Sequence, residues 1–338
     1  MINIVSKQAM VSETTGPQKV YANLLKGLDR IGYPYVVNRD LRATSRLWIQ
    51  DDIDALHYMH MSNAKIVVGP NLFCLPRDVP ESISFSGVLY IQPSDGTQML
   101  WRELGFDRCP FVTWPVGIDT DEFAPSARLR SERFVVVYHK QRPATELQAI
   151  EEDLARRRLP YEVIKYGSYT EDQFKRLLDS ALLVVWHGRH ESQGIAFQEV
   201  LSCNVPVVLC DVTCLGDDCS NYAYEPAERS FPATAAPYFD ERCGARVTSV
   251  GDFSGALDQV LDQLDSLAPR EFVMEHLSLD GQARAFVRLW EHYGLTLEGG
   301  YDEACRTRKA LSAPLHYRLT KVRGRYARAV ARRLKGEG

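Results

Sequence analysis

The chain lacks most of the features that would fix its class at a glance. Its eight cysteines include no C-x-x-C pair, so neither a zinc ribbon nor a thioredoxin-type redox motif is written into it. Cys203, Cys210, Cys214 and Cys219 fall near one another without the spacing of a structural zinc site. Cys203 and Cys210 lie in apolar runs, as reduced, buried thiols of a cytoplasmic protein do. No apolar run approaches the roughly 20 residues of a membrane span. The opening MINIVSK is too short for a signal peptide and lacks its layout, so the expected location is the cytoplasm. There is no Gly-x-Gly-x-x-Gly fingerprint, no internal repeat and no low-complexity tract. A net charge of −4 excludes a wholesale nucleic-acid binder.

What is present is ordinary in bulk and informative in pattern. At 338 residues, 45% hydrophobic and 25% charged, the chain has the composition of a soluble globular protein and length for about two cores. Charge is uneven: from Arg306 to Lys335 there are eleven Lys and Arg and no acid. Such a bias suggests an anionic surface such as a membrane; a tail helix that packs back on the first domain is the alternative. Apolar strand-like runs alternate with helical stretches, the pattern of parallel α/β sheets. The first series predicts strands at 2–6, 35–38, 55–59, 65–68, 88–92 and 111–116. Helices are expected at 17–31, with Val20, Leu24, Leu25, Leu28 and Ile31 at helical spacing, and at 97–104. A second series opens at FVVVY (134–138), with further strands at 161–165, 182–186 and 205–210. Its helices are expected at 144–157, 171–180 and 196–202. The proline- and charge-rich turn 125–133 is the expected boundary. Amphipathic helices at 253–264 and 282–293 follow, then the basic tail.

The densest segment is WHGRHESQGIAFQEVLSCNVPVVLCD (186–211). A strand runs into a polar loop, a glycine, an amphipathic helix and a second strand. Glu191 and Glu199 stand eight positions apart across the loop and helix start. This places carboxylates and free backbone N–H groups at the carboxyl edge of a parallel sheet, where α/β proteins bind ligands. A glutamate can accept two hydrogen bonds from a sugar or ribose diol. The helix start, with roughly half a unit of positive charge, suits a phosphate. His187, Arg189, His190, Ser192 and Gly194 crowd the same loop, more hydrogen-bonding groups than a plain turn needs. A helix cap is the duller role for either glutamate.

Three further constellations stand out. HKQRP (139–143) directly follows the first strand of the second series and sets Lys140 and Arg142 at the sheet edge, where they could stabilise a departing diphosphate; a solvated turn is the alternative. In the loop 12–18 the single glycine, Gly16, would let a ligand approach the backbone, with Lys19 on the first helical turn facing the cleft. Asp52-Ile53-Asp54 and Asp119-Thr120-Asp121 both read D-x-D, a metal pattern that short acidic runs often mimic by chance; no metal is expected. His57 and His60, on or beside the strand expected at 55–59, suit either a general base or a satisfied core.

Taken together, these residues resemble a family. GIDTDEFAP, with Gly117, Asp119, Phe123 and Pro125 in the matching places, looks like the interdomain turn of retaining GT-B glycosyltransferases, the family 4-like or group 1 transferases. HESQGIAFQEVLSCNVPVVLCD is similar to their donor-binding motif, and SETTGPQKVYANLLKGL to their first loop and helix. The resemblance spans most of residues 1 to 295. It implies an α/β GT-B fold: two Rossmann-like parallel-sheet domains facing a cleft, with C-terminal helices. The domains would be 1–125 on the acceptor side, 126–280 for the donor, and 281–338 for the last helices and basic tail.

The resemblance also assigns roles. Glu199 would bind the nucleotide ribose, and Glu191 the donor sugar. Gly194 and Ile195 would offer N–H groups. Lys140 and Arg142 would take the diphosphate charge; Gly16, His187 and His190 join the donor site on the reading of their own loops. The implied reaction is metal-independent transfer, with retention, from a nucleotide-diphosphate sugar to a glycan or lipid-linked acceptor. Bacterial cell-surface polysaccharide synthesis is the implied setting, at the inner membrane. No cofactor is implied beyond the donor itself. The chain departs from the family pattern in two places. Lys140 and Arg142 are two residues apart rather than five. Gly69-Pro70-Asn71 stands where many relatives carry His-Gly or His-Asp. These departures keep a catalytically silent sugar-nucleotide binder or partner subunit open. The acidic pairs keep open a metal-dependent GT-A-like transferase.

Overall fold

The computed structural model describes residues 1–11, 15–70, 72–126, 134–219 and 222–291. The first half builds β1 (Ile2–Val5), α1 (Gly16–Arg30), β2 (Tyr35–Val37), β3 (Arg46–Ile49), α2 (Ile53–Leu56), β4 (Lys65–Val68), β5 (Val88–Gln92), α3 (Asp95–Glu103) and β6 (Phe111–Thr113). The second half adds β7 (Val135–Lys140), α4 (Ala144–Arg156), β8 (Tyr161–Lys165), α5 (Glu171–Ser180), β9 (Leu183–Gly188), α6 (Ile195–Ser202) and β10 (Val207–Cys210). It continues through α7 (Pro226–Arg229), β11 (Gly244–Val247), α8 (Phe253–Asp262), α9 (Pro269–His276) and α10 (Leu279–Arg288). The strands form two sheets, β2-β1-β3-β4-β5-β6 and β11-β10-β9-β7-β8, parallel at every pairing.

Local chemistry accounts for the element ends. Thr15 caps α1, with its hydroxyl accepting from the Gln18 amide, and proline occupies the first turn, where its missing N–H costs nothing. Capping boxes start α3 at Ser94 with Thr97 and α5 at Thr170 with Gln173, each satisfying two otherwise orphaned donors. Helices cover both faces of each sheet, so the central strands read as unbroken apolar runs. Val135, Val136 and Val137 are all fully buried.

One expected strand needs correction. The segment expected as a strand at 55–59 is helical: Asp52 caps α2, accepting from the Ala55 amide. Ala55, Leu56 and Met59 point to the core at helical spacing. The strand of this region is β3, which slots between β1 and β4. The edge strand β11 and the helix α9 were not expected at all.

Topology then fixes where a ligand can sit. In the second sheet the chain runs from β7 to β8 on one side and returns to β9 on the other. The crevice between the carboxyl ends of β7 and β9 is a switch point, where open α/β sheets bind ligands. The first sheet has its own switch between β1 and β3, and the loop after β1 leads into α1.

Two chain crossings join the sheets side by side. One runs from β6 to β7. The other passes from α9 to α10, and the two meet where the Ile118 amide donates to the Leu277 carbonyl at 2.8 Å. Gly117 permits this contact, since a Cβ there would lie 2.5 Å from the Leu279 Cα. After the second crossing α10 packs along α1, and Phe286 and Trp290 enter the core of the first sheet with Trp48 and Trp114. The Phe286 ring stands 5.0 Å from Trp48 and 4.8 Å from Trp114. The helix expected at 282–293 thus starts earlier, at Leu279. Its last residues and the basic tail 306–335 lie outside the described residues. Among the described residues no helix is long and apolar enough to cross a membrane.

Candidate functional site

The second lobe contributes the ends of β7 and β9. Lys140 closes β7, and its Nζ donates to Glu191 Oε1 at 2.5 Å from the loop after β9. The ammonium also stands over the Tyr166 ring, 4.1 Å from its centroid, a favourable cation–π placement. The loop is held firmly. The Glu191 amide donates to the Thr234 carbonyl at 3.0 Å, and Arg189 pairs with Asp218 at 2.9 Å. Gln193 reaches across to the strand-like linker, donating to the Val116 carbonyl and accepting from its amide. Gly194 then turns the chain into α6 with φ of 82°, a left-handed conformation that a side chain would strain. The first amides of α6 therefore open onto the crevice between the lobes.

The first lobe answers with the start of α1. Gly16 and Lys19 face the same space, and a Cβ on Gly16 would meet no protein atom within 4 Å. The Lys19 Nζ crosses to the second lobe and lies 2.5 Å from both Glu199 Oε1 and Glu171 Oε1. Burial pushes the Glu199 carboxyl up to about 7, against the pull of Lys19. Burial also works against the charge on Lys19, but Glu199 and Glu171 outweigh it and hold the ammonium above the usual lysine value. The second oxygen of Glu199, Oε2, is buried and accepts no hydrogen bond.

These groups surround a cavity of about 530 Å³. Its floor is aromatic: Tyr138 and Trp186 stack with centroids 3.8 Å apart and planes 2° from parallel. The buried Trp186 Nε1–H has no acceptor in the protein. Two ammonium groups, a helix N-terminus and a carboxylate face one space from two lobes. Such a set can bind an anion and a polyol together.

The lobes are also tied elsewhere. Arg77 pairs with Glu225 at 2.9 Å and Glu228 at 3.1 Å and donates to the Ala223 carbonyl. The Tyr222 hydroxyl donates to Asp78, and that of Tyr238 to the Pro93 carbonyl.

Of the residues singled out in the sequence, Lys140, Glu191, Gly194, Ile195 and Gly16 line the cavity. Glu199 lies behind Lys19. Arg142 is not at the wall: its guanidinium donates to the carbonyls of Gly188 and Cys210 and to Glu146, beneath the loop that carries Glu191. His187 is fully buried, its Nδ1 3.1 Å from that of His139 and its Nε2 2.9 Å from Glu146. Burial lowers its pKa to about 4. His190 faces a neighbouring cavity instead, with Nε2 3.0 Å from the Tyr224 hydroxyl.

His57 and His60 follow α2 and line none of these spaces. The acidic pairs are engaged elsewhere. Asp52 caps α2 and lies near Lys7. Asp119 pairs with Lys26 and Arg30, and Asp121 with Arg30. Among the described residues no group of three or more His, Cys, Asp or Glu is placed to hold a metal. Sequence reasoning did not put Glu171, Tyr166 or Trp186 at the site. The available signal was position alone: Tyr166 directly follows β8, Glu171 opens α5 after the same loop, and Trp186 lies near the carboxyl end of β9.

No protein-family model matches the chain, and no curated protein matches its sequence. Solved structures do match its fold. Sucrose-phosphate synthase from Thermosynechococcus elongatus superposes with a TM-score of 0.57 at 12% identity, over 87% of this chain and 99% of that one. The lipopolysaccharide outer core galactosyltransferase WaaB gives 0.52 at 11% identity, over 86% and 99%. The catalytic domain of starch synthase IV from Arabidopsis thaliana, bound to ADP and acarbose, gives 0.52 at 11%, over 86% and 98%. The chain thus has the GT-B fold of these proteins, not the GT-A arrangement kept open as an alternative.

Proposed function

We propose that this chain is a retaining glycosyltransferase, moving a sugar from a nucleotide-diphosphate sugar to a glycan or glycolipid acceptor without a metal. One observation carries the reading: the Lys140–Glu191 pair, the α6 N-terminus and the Lys19–Glu199 pair converge on a single cavity between two lobes. The donor lies on the second lobe. Its ribose hydroxyls donate to Glu199, whose Oε2 lacks a partner, once the ribose displaces the Lys19 ammonium that stands between that carboxylate and the cavity. The diphosphate sits against the amides of Gly194 and Ile195 and near Gly16, while Glu191 accepts from the sugar's hydroxyls. Lys140 and the helix start stabilise the charge that grows on the leaving diphosphate, where one such group is worth about 3–4 kcal/mol. Arg142 acts as a positioning residue, tying the ends of β9 and β10 beneath the loop.

The acceptor hydroxyl attacks the anomeric carbon from the face the diphosphate leaves, and the departing phosphate oxygen takes its proton. The lobes divide at about residues 126 and 281. The basic stretch 306–335 holds the enzyme to an anionic inner-membrane surface, each cation near it contributing ~1 kcal/mol. A role in bacterial cell-surface polysaccharide synthesis is consistent with WaaB among the fold neighbours.

The test is a thermal-shift screen with UDP, GDP, ADP and their sugars in EDTA, followed by transfer assays. The matching nucleotide should stabilise the protein by about 2.7 kcal/mol at a hundredfold excess over its Kd. Ionised Glu199 accepts from hydroxyls on both oxygens and more strongly than its protonated form, so affinity should fall as pH drops below about 7. Lys140→Ala should lower turnover about 10²- to 10³-fold. No stabilisation by any nucleotide defeats the reading. Binding without transfer leaves a silent sugar-nucleotide binder, and transfer abolished by EDTA removes the metal-free mechanism.

A further inference from the structure

Glu191 lines two cavities. Besides the one described, it borders a second of about 310 Å³, closed on one side by the start of α3 and on the other by the loops after β10. The walls of this second space are of a different kind. Met99, Leu100, Leu215, Pro232, Pro237 and Tyr238 supply most of them. Met99 is 46% exposed and so can be reached by a ligand. Polar groups are few and neutral or acidic: Ser94, Thr97, Thr234, His190, Asp95 and Glu191.

The contrast in charge is what decides the ligand. The first cavity is lined by Lys19 and Lys140. No lysine or arginine lines the second, among the described residues. Its one basic side chain is His190, which burial lowers to about 4, so it is uncharged at neutral pH. The free amides at the start of α3 would favour an anion, but Asp95 already stands in that first turn. A phosphate or carboxylate here would meet Asp95 and Glu191, the latter already holding Lys140 on the side of the first cavity, with no lysine or arginine on this cavity's own wall, and would lose hydration with little compensation. An apolar group would instead cover the methionine, leucine and proline walls, and a hydroxyl beside it would find Glu191.

We infer that this second cavity takes an uncharged acceptor with an apolar body attached to its sugar, the accepting hydroxyl turned to Glu191, and discriminates against phosphorylated acceptors. The acceptor role rests on the glycosyl-transfer reading; the ligand class rests on the walls alone.

The experiment measures binding of methyl, butyl, hexyl and octyl β-glucoside and of glucose 6-phosphate to the full chain by saturation-transfer NMR and calorimetry. UDP, GDP and ADP are titrated in the same preparations. Affinity should rise by roughly fourfold per methylene over the first three or four methylenes that the cavity can hold, and then level off at on the order of a hundredfold above the methyl glucoside. Glucose 6-phosphate should bind no better than the methyl glucoside. Met99→Lys changes an exposed side chain and should fold. It should weaken the octyl glucoside on the order of tenfold, strengthen glucose 6-phosphate, and leave nucleotide affinity within about twofold. A preference for glucose 6-phosphate in the wild type overturns the inference. So does an absence of chain-length dependence, an octyl affinity that ignores Met99→Lys, or no binding of any glucoside. If no nucleotide binds but the chain-length series and its Met99 dependence hold, the cavity's ligand class stands and the glycosyl-transfer reading falls.

Discussion

Replacing Lys19 by methionine isolates the electrostatics of the cleft. The substitution keeps most of the side-chain volume and removes the ammonium that lies 2.5 Å from both Glu199 and Glu171. Glu199 is then buried, with a side-chain exposure of 3%, and has no cation beside it. Breaking such a pair by deleting one member typically costs about 3–5 kcal/mol when the remaining charge cannot escape. Glu199 can escape by taking up a proton, and its folded pKa, already about 7 with Lys19 in place, must rise further without it. The sign follows from linkage. A carboxyl whose folded pKa exceeds its unfolded one binds its proton more tightly when folded, so stability falls as pH rises from the unfolded pKa to the folded one.

In the wild type that fall ends near pH 7. In Lys19→Met it continues to higher pH, so the gap between the two proteins should widen above pH 7 by up to about 1.4 kcal/mol per unit. Urea denaturation followed by tryptophan fluorescence at pH 6, 7, 8 and 9 reads this directly. Adding Glu199→Gln to the variant should flatten the dependence. A gap that stays constant from pH 6 to 9, or that survives Glu199→Gln unchanged, refutes the pairing as the origin of the shift.

Two further outcomes are expected. Arg142→Met should destabilise the second lobe by about 2–4 kcal/mol, because the carbonyls of Gly188 and Cys210 lose their donor and Glu146 one of its two partners. Arg142→Lys should recover little of this, lacking the planar fork, and a calorimetric titration should show nucleotide affinity changing far less than in Lys140→Ala. Arg77→Ala should open the cleft, since it severs the contacts to Ala223, Glu225 and Glu228. Small-angle scattering should then give a larger radius of gyration for the empty protein, shrinking again when the matching nucleotide is added.

Much of the second lobe was legible because FVVVY, LLVVW and VPVVLC are continuous apolar runs that only buried parallel strands explain. The first lobe was harder. In β3 the apolar Leu47, Trp48 and Ile49 are flanked by Arg46 and Gln50, too short a run to stand out. Beside it, DIDALHYM offers apolar residues that fit either period until the Asp52 cap is seen. The edge strand β11 carries Gly244, Ala245 and Arg246, a composition with little strand signal.

At the site, residues adjacent in sequence were easier to gather than to aim. Lys140 and Arg142 look equivalent in HKQRP. Gln141 between them adopts φ of 51°, which breaks the strand's alternation and lets Arg142 reach beneath the loop while Lys140 faces the cavity. No spacing rule could pair Lys19 with Glu171 and Glu199, because the contact spans two lobes and exists only once both have folded.

The stitching of α10 to α1 sets an order of events during synthesis. Trp48 and Trp114 emerge early from the ribosome, yet the aromatic partners that seal them, Phe286 and Trp290, are among the last described residues to be made. At roughly 5–20 residues per second, the first lobe must wait on the order of ten seconds or more with one face of its sheet unsealed, while the second lobe has every strand it needs before α10 exists. The half that is translated first is therefore the half that matures last, and a chaperone attending this nascent chain would find its binding site around those two tryptophans.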